Sequence, residues 1–89
     1  MNSSQNSKAR KKILLSYVEI CKDCRVLNNL RQSDVANAIG LSTKYVSRIE
    51  TGREVPSLET LIALCAASKV SRSTVEKLLN EYLNTMEWD

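Results

Sequence analysis

The sequence has no histidine, no phenylalanine, one proline and only two glycines in 89 residues. Proline and glycine are the residues that most disfavour helices, so their scarcity favours long helical segments and an all-α fold. The lack of histidine leaves three cysteines as the soft zinc ligands, which is too few for a tetrahedral site. It also removes the side chain most often used in acid–base catalysis. We therefore expect no metal, no other cofactor and no enzymatic activity.

Long hydrophobic runs are also missing, since no apolar stretch approaches the roughly 20 residues that a membrane span needs. The basic start is followed by a short apolar stretch with charges soon after it, unlike a signal peptide. We expect a cytoplasmic protein with no membrane contact and reduced thiols. Cys21 and Cys24 have CxxC spacing, and Cys65 is the third cysteine. Buried cysteines on helix faces are the favoured interpretation, and a metal or redox role is the alternative.

What the chain does have is an uneven charge distribution around a net charge of +3. Residues 1–31 carry seven basic and two acidic side chains, whereas residues 56–89 carry three basic and five acidic ones. Such a basic front half suits nucleic-acid binding at one end of the molecule. The segment Lys8–Lys12 is either an arm that contacts the DNA backbone or minor groove, or a solvated helix end.

Apolar residues recur at three- and four-residue steps and predict five helices in one small domain. Residues 1–7 are polar and are predicted to be a disordered arm. Asn29, Gly40 and Gly52 are predicted to end the first three helices, and Ser42 to cap the third. The predicted helices cover about residues 8–28, 32–39, 43–51 and 56–68, and a last segment begins at a capping-box pattern at Ser73.

The second and third predicted helices are short and are joined by a turn that contains Gly40, which is typical of a helix-turn-helix. Val46 and Ile49 would fix the third helix to the core. Its outward face would then carry short polar and long basic side chains, as a DNA-recognition helix requires.

Residues 30–65, LRQSDVANAIGLSTKYVSRIETGREVPSLETLIALC, resemble the helix-turn-helix core of the Cro/C1-type (XRE) repressor family. With the first helix the resemblance covers roughly residues 17–75. It rests on a set of matches taken together: Gln32, Ala36, Gly40, the segment Ser47-Arg48-Ile49-Glu50-x-Gly52-Arg53, and Pro56. The resemblance implies a five-helix lambda-repressor-like domain, with DNA binding in residues 8–70 and a dimerisation helix and tail in residues 71–89.

The family pattern also implies roles for individual residues. Arg25 and Glu50 would form an internal ion pair, and the loop after the third helix would offer backbone N–H groups and a cation to phosphate. Tyr45 either contacts DNA or packs against a neighbour. The expected base-contacting residues are Thr43, Lys44, Tyr45, Ser47 and Arg48. The expected phosphate-contacting residues are Gln32, Ser42, Thr51, Gly52, Arg53 and Arg31.

The leading hypothesis is a transcriptional regulator that binds a palindromic operator in the major groove of double-stranded DNA as a homodimer, with no small-molecule ligand. Apolar residues of the fifth helix would form the dimer interface, although they could instead cover the first and fourth helices of the same chain. Trp88 could join either surface. The alternative function is an antitoxin-type module whose C-terminal helix binds a partner protein. The predicted interface consists of Val75, Leu78, Leu79, Tyr82, Leu83 and Met86.

Overall fold

A computed structural model describes residues 3–87, and over this range the chain forms five α-helices and no strand. The all-α, five-helix prediction is therefore confirmed. None of these helices combines the length and the apolarity that a membrane crossing requires. The helices are α1 (Ser3–Leu27), α2 (Gln32–Ile39), α3 (Thr43–Glu50), α4 (Leu58–Ala67) and α5 (Arg72–Leu83).

Three of the predicted helix ends lie where the sequence placed them. Asn29, Gly40 and Gly52 all have positive φ angles, of 57°, 72° and 79°. Beyond Gly40, the N–H of Leu41 donates to the carbonyl of Ala36, which closes the last turn of α2. This left-handed residue reverses the chain between α2 and α3 and sets the helix-turn-helix.

The start of α1 differs from the prediction, because residues 3–7 are helical and not a disordered arm. Asn6 is buried there, with 6% of its surface exposed. Starting a helix is costly, but adding a residue to an existing helix forms one further hydrogen bond, so a polar stretch can extend a helix that it could not start. Residues 1–2 and Trp88 lie outside the described part of the chain.

The start of α5 also differs, because the capping residue is Ser71 and not Ser73. The Ser71 hydroxyl accepts the N–H of Thr74 at 3.3 Å. Just before it, Lys69 takes a positive φ of 69°, and the N–H of Val70 donates to the carbonyl of Cys65. The chain turns sharply at the end of α4, and α5 begins two residues earlier than its capping-box pattern suggests.

One hydrophobic core joins all five helices. α1 packs against α3, α4 and α5, while α2 packs against α3 and α4. Each helix contributes side chains that are almost wholly buried, so the helix-turn-helix is fixed to a frame made of α1 and α4. The core residues are Leu14, Tyr17, Val18, Cys21, Val35, Ala36, Val46, Ile49, Leu61, Leu64, Cys65, Val70 and Leu78.

The cysteines are free thiols, of which Cys21 and Cys65 are buried and Cys24 is half-buried. The Sγ atoms of Cys21 and Cys65 lie 3.1 Å apart across the contact between α1 and α4. This hydrogen bond and burial raise the pKa of Cys21 above the usual thiol range. Within residues 3–87 no group of cysteines and carboxylates has the arrangement of a metal site. The interpretation of Cys21 and Cys65 as buried side chains is confirmed.

Candidate nucleic-acid interface

α3 has one face in the core and one face in solvent. Val46 and Ile49 have no exposed surface, so the helix is held firmly against the rest of the domain. Thr43, Lys44 and Arg48 are exposed on the opposite side. These three side chains therefore lie together on one rigid, solvent-facing strip.

Two predicted members of this strip lie deeper than the others. Ser47 and Tyr45 are both half-buried. The Tyr45 ring packs against the hydrophobic core, which favours the packing alternative for this residue. Ser47 also has a backbone role, since its carbonyl accepts the hydroxyl of Thr51 at 2.9 Å.

The N-terminus of α3 is capped as the sequence predicts. The Ser42 Oγ accepts the N–H of Tyr45 at 3.1 Å, which pairs one of the amides that a helix start leaves open. Ser42 is exposed, and its hydroxyl hydrogen is still able to donate outward. A serine in this position can cap the helix and bond to a phosphate oxygen with the same hydroxyl.

The C-terminus of α3 corrects one expectation. The N–H groups of Thr51, Gly52 and Arg53 donate to carbonyls of α3 itself, at 3.0, 3.1 and 2.9 Å. They satisfy carbonyls that a helix end would otherwise leave open and are not directed at a ligand. What the loop does offer is the exposed guanidinium of Arg53.

A buried ion pair ties the end of α3 to α1. Arg25 donates from Nε and Nη2 to the two carboxylate oxygens of Glu50, at 2.8 and 2.9 Å. The two side chains are 12% and 5% exposed. Arg25 also donates from Nη1 to the carbonyl of Leu30 at 2.8 Å. The predicted internal pair is therefore present, with the fork-to-fork geometry that makes Arg–carboxylate pairs strong.

Gln32, at the start of α2, joins the same cluster. Its Nε2 donates to Oε1 of Glu50 at 2.9 Å, which braces α2 against α3. An amide nitrogen carries two hydrogens, so a second N–H remains for an outside acceptor. The carboxylate of Glu50 thus connects α1, α2 and α3.

Arg31 precedes α2 and is 82% exposed at its side chain. Its N–H donates to Oδ2 of Asp34 at 2.8 Å, and its guanidinium lies 3.3 Å from Oδ1. The backbone hydrogen bond, followed by the guanidinium contact, lowers the pKa of Asp34. The role of Asp34 was not predicted, although an acidic residue three positions after an N-cap is a recognisable capping signal.

Another contact that was not predicted joins the strip on α3 to the following loop. Nη2 of Arg48 donates to Oε1 of Glu54 at 2.8 Å. The side chains are 50% and 34% exposed. No helix periodicity connects positions six apart on either side of a glycine turn, so the sequence pattern carried no signal for this pair.

The basic segment Lys8–Lys12 lies far from the strip on α3. Arg25 marks the end of α1 that contacts α3, and Lys12 precedes it by 13 residues, or about 20 Å of helix. Arg10, within this segment, contacts Met86 instead, with Nη1 3.8 Å from Sδ. Lys8, Lys11 and Lys12 are exposed, and their position favours the solvated helix end over a DNA-binding arm.

The predicted dimer surface on α5 is smaller than expected. Leu78 has no exposed surface and belongs to the core of its own chain, so it does not face outward. Val75 and Tyr82 also pack against this core. Leu83 and Met86 are 44% and 36% exposed.

Comparison with known proteins matches the chain to a protein family and to a phage protein. The family model described as "Helix-turn-helix" matches residues 22–75, which is more than half of the chain. The "ImmF control region 10 kDa protein" of Bacillus phage phi105 is 45% identical over 42 residues, a stretch that covers 47% of each chain. The chain thus spans about half the length of that relative. No solved structure matches the present chain.

Proposed function

Because the chain belongs to the Cro/C1-type helix-turn-helix family of DNA-binding transcription regulators, we propose that it binds one palindromic operator as a homodimer. The observation that carries the proposal is the arrangement of α3. Its inner side is fully buried through Val46 and Ile49, and its outer side presents polar and basic side chains on a rigid support. A helix held in this way fits the major groove of B-DNA.

Four side chains of α3 contact base edges in this proposal. Arg48 and Lys44 donate to the O6 and N7 acceptors of guanine, and Thr43 bonds to a base edge or packs its methyl group on thymine. Ser47, which is half-buried, has the shortest reach of the four and contacts a base only when the helix sits deep in the groove. Tyr45 supports the helix from its edge.

Phosphate contacts surround this set and fix its register without specifying sequence. Ser42 donates through its hydroxyl, and Gln32 through the N–H that Glu50 does not use. The exposed guanidinium groups of Arg31 and Arg53 supply positive charge at the beginning of α2 and after α3. Each cation that pairs with a phosphate adds about one to the salt dependence of binding.

The proposal of a homodimer rests on the length of DNA that one recognition helix can contact. A single recognition helix contacts one half-site, and this class of domain specifies an operator by pairing two half-sites. The surface that would join two copies is the outer side of α5, with Leu79 and Leu83, together with Met86 just after the helix. The phage phi105 relative is named for a control region, and we extend to this chain the role of a regulator in such a region.

In vitro selection of bound DNA tests the proposal directly. We expect the wild-type protein to select an inverted repeat, and Arg48→Ala to lose its preference at one base pair in each half-site. Arg72→Ala is the matched control, because it removes the same exposed charge from α5. An Arg48→Ala protein that selects the wild-type sequence would refute the base contact, and selection of no sequence at all would refute the proposed function.

A further inference from the structure

Glu54 is a carboxylate in an unexpected place. It follows Arg53 in the loop that is proposed to face DNA phosphates, where a negative charge opposes binding. Its Oε1 nevertheless accepts a 2.8 Å hydrogen bond from Nη2 of Arg48, the proposed guanine-contacting side chain. The two groups form an ion pair that is half-exposed on the same side of α3.

The backbone holds Glu54 in this position independently of the ion pair. The carbonyl of Arg48 accepts the N–H groups of both Arg53 and Glu54, at 2.9 and 3.1 Å. The Thr51 hydroxyl donates to carbonyls at the end of α3, and the next helix is preceded by the buried Pro56. The loop is thus anchored at both sides of Glu54, which fixes its backbone relative to α3 and keeps its carboxylate within reach of Arg48.

We propose that Glu54 is a positioning residue for base recognition, whose carboxylate orients the Arg48 guanidinium toward a single base. This inference rests on the proposed function. A guanidinium is a planar group with five N–H donors, and the bond to Glu54 uses one of them. Four donors remain, including the second hydrogen on Nη2, so one two-donor edge is still open to a base and DNA binding does not require the pair to break.

Two physical effects follow from this arrangement. An oriented arginine loses less side-chain freedom when it binds its base than a mobile one does. In addition, the carboxylate offsets the charge of Arg48, which weakens attraction to phosphates of any sequence. Both effects raise the ratio of specific to non-specific binding. Glu54 therefore lowers the overall affinity for DNA somewhat and increases discrimination between base sequences.

The test compares binding of the full chain to its selected operator, to single-base variants of that operator, and to an unrelated duplex. We expect Glu54→Ala to lower discrimination about tenfold at the base pair contacted by Arg48, and to raise affinity for the unrelated duplex. Glu54→Gln keeps an acceptor oxygen without the charge, so it should retain most of the base preference while its non-specific affinity rises. Glu59→Ala, an exposed carboxylate of α4, is the control.

The outcomes separate this inference from the proposed function. If Glu54→Ala changes affinity for every sequence by one common factor while Arg48→Ala abolishes a base preference, Glu54 acts only through its charge and the inference is wrong. Tighter operator binding with an unchanged base profile would also overturn it, because Glu54 would then only hold Arg48 away from the DNA and would not orient it toward a base. If Arg48→Ala has no effect on the profile, the base contact and the inference both fail. The double variant Arg48→Ala/Glu54→Ala should show the same base profile as Arg48→Ala alone.

Discussion

The ion pair of Arg25 and Glu50 shows at the scale of single residues how α3 is held in place. Both side chains are nearly buried, and the pair is bidentate. Arg25→Ala would leave a buried carboxylate with Gln32 as its remaining partner. We expect the free energy of unfolding to fall by about 3 kcal/mol, because loss of one partner strands a buried charge. Urea denaturation measures this change.

Two further variants, Arg25→Lys and Arg72→Ala, serve as an intermediate case and a control for that measurement. Lysine restores the charge but not the two parallel hydrogen bonds. The free energy of unfolding of Arg25→Lys should therefore lie between those of Arg25→Ala and the wild type. Arg72 is exposed, and its removal should change stability little. A loss below 1 kcal/mol for Arg25→Ala would mean that water or Gln32 compensates for the missing guanidinium.

The three thiols should differ in reactivity. Cys21 and Cys65 are 3% and 0% exposed, whereas Cys24 is half-buried. Thiolates are the reactive form, and the hydrogen bond to Cys65, together with burial, raises the pKa of Cys21. We expect iodoacetamide to modify Cys24 first in the folded protein. Trypsin cleaves after Lys22 and separates Cys21 from Cys24, so peptide mass spectrometry can measure each rate.

Cys24→Ser provides the control for this order of reaction. The folded variant should react slowly until denaturant exposes the remaining thiols. Fast modification of Cys21 or Cys65 in the folded variant would show that the contact between α1 and α4 opens readily, which contradicts a tightly packed core at that point.

Residues with local roles could be predicted from the sequence, and residues that meet across a turn could not. Ser42 caps the helix that directly follows it, and the Arg25–Glu50 pair came from a resemblance that includes both positions. The Arg48–Glu54 pair depends on how the chain turns at Gly52, which side-chain periodicity does not describe.

At the scale of helices, the start of α5 is a place where the sequence pattern alone did not identify the capping residue. Ser71 and Ser73 each precede a plausible helical pattern, but the Ser71 hydroxyl accepts the N–H of Thr74. We expect Ser71→Ala to lower stability by about 1 kcal/mol through loss of the cap. Ser73→Ala removes a hydroxyl that only contacts the capping residue, and its effect should be smaller. Thermal unfolding of the two variants compares them, and the reverse order would place the start of the helix at Ser73.

The contact between α1 and α5 predicts a loss of stability at high pH. Burial and the adjacent Glu81 carboxylate raise the pKa of Tyr17 from 10.0 to about 12. Between these values the unfolded chain has lost the phenolic proton and the folded chain still holds it. The stabilisation is therefore complete below pH 10 and disappears as the pH rises toward 12.

Urea denaturation of the wild type and of Tyr17→Phe at pH 9 and pH 11 isolates this effect. Phenylalanine has no ionisable group, so the wild type should lose more stability between the two pH values than the variant. Equal losses would show that Tyr17 does not account for the pH dependence, and that other groups do.

At the scale of the whole molecule, periodicity showed which residues of α5 are apolar but not what covers them. Leu78 is buried by its own chain, and Val75 and Tyr82 pack beside it. All six predicted interface residues belong to the same apolar helical periodicity in the sequence. Only the packing of α5 against α1 and α4 separates the side chains that complete the core from those that remain at the surface.

The remaining exposed apolar surface of α5 leads to a prediction about assembly. Leu83 is 44% exposed, so Leu83→Glu should leave the fold intact and place like charges in the proposed dimer interface. We expect at least about a tenfold rise in the dimer dissociation constant. Operator affinity should fall with it, because each monomer then holds only one half-site. Sedimentation equilibrium and DNA titration measure the two effects.

Leu78→Ala is the contrasting variant, since it opens a cavity in the core and should cost about 2–5 kcal/mol of stability while leaving the outer face of α5 unchanged. At temperatures where it is folded, it should dimerise like the wild type. If Leu83→Glu is folded and its self-association is unchanged, α5 does not join two copies.

A second, different protein bound in equal amount through this face in the native host, and released by Leu83→Glu, would instead support the antitoxin-type alternative. The two interpretations make opposite predictions for the purified wild-type chain, which is a dimer in the first case and a monomer in the second.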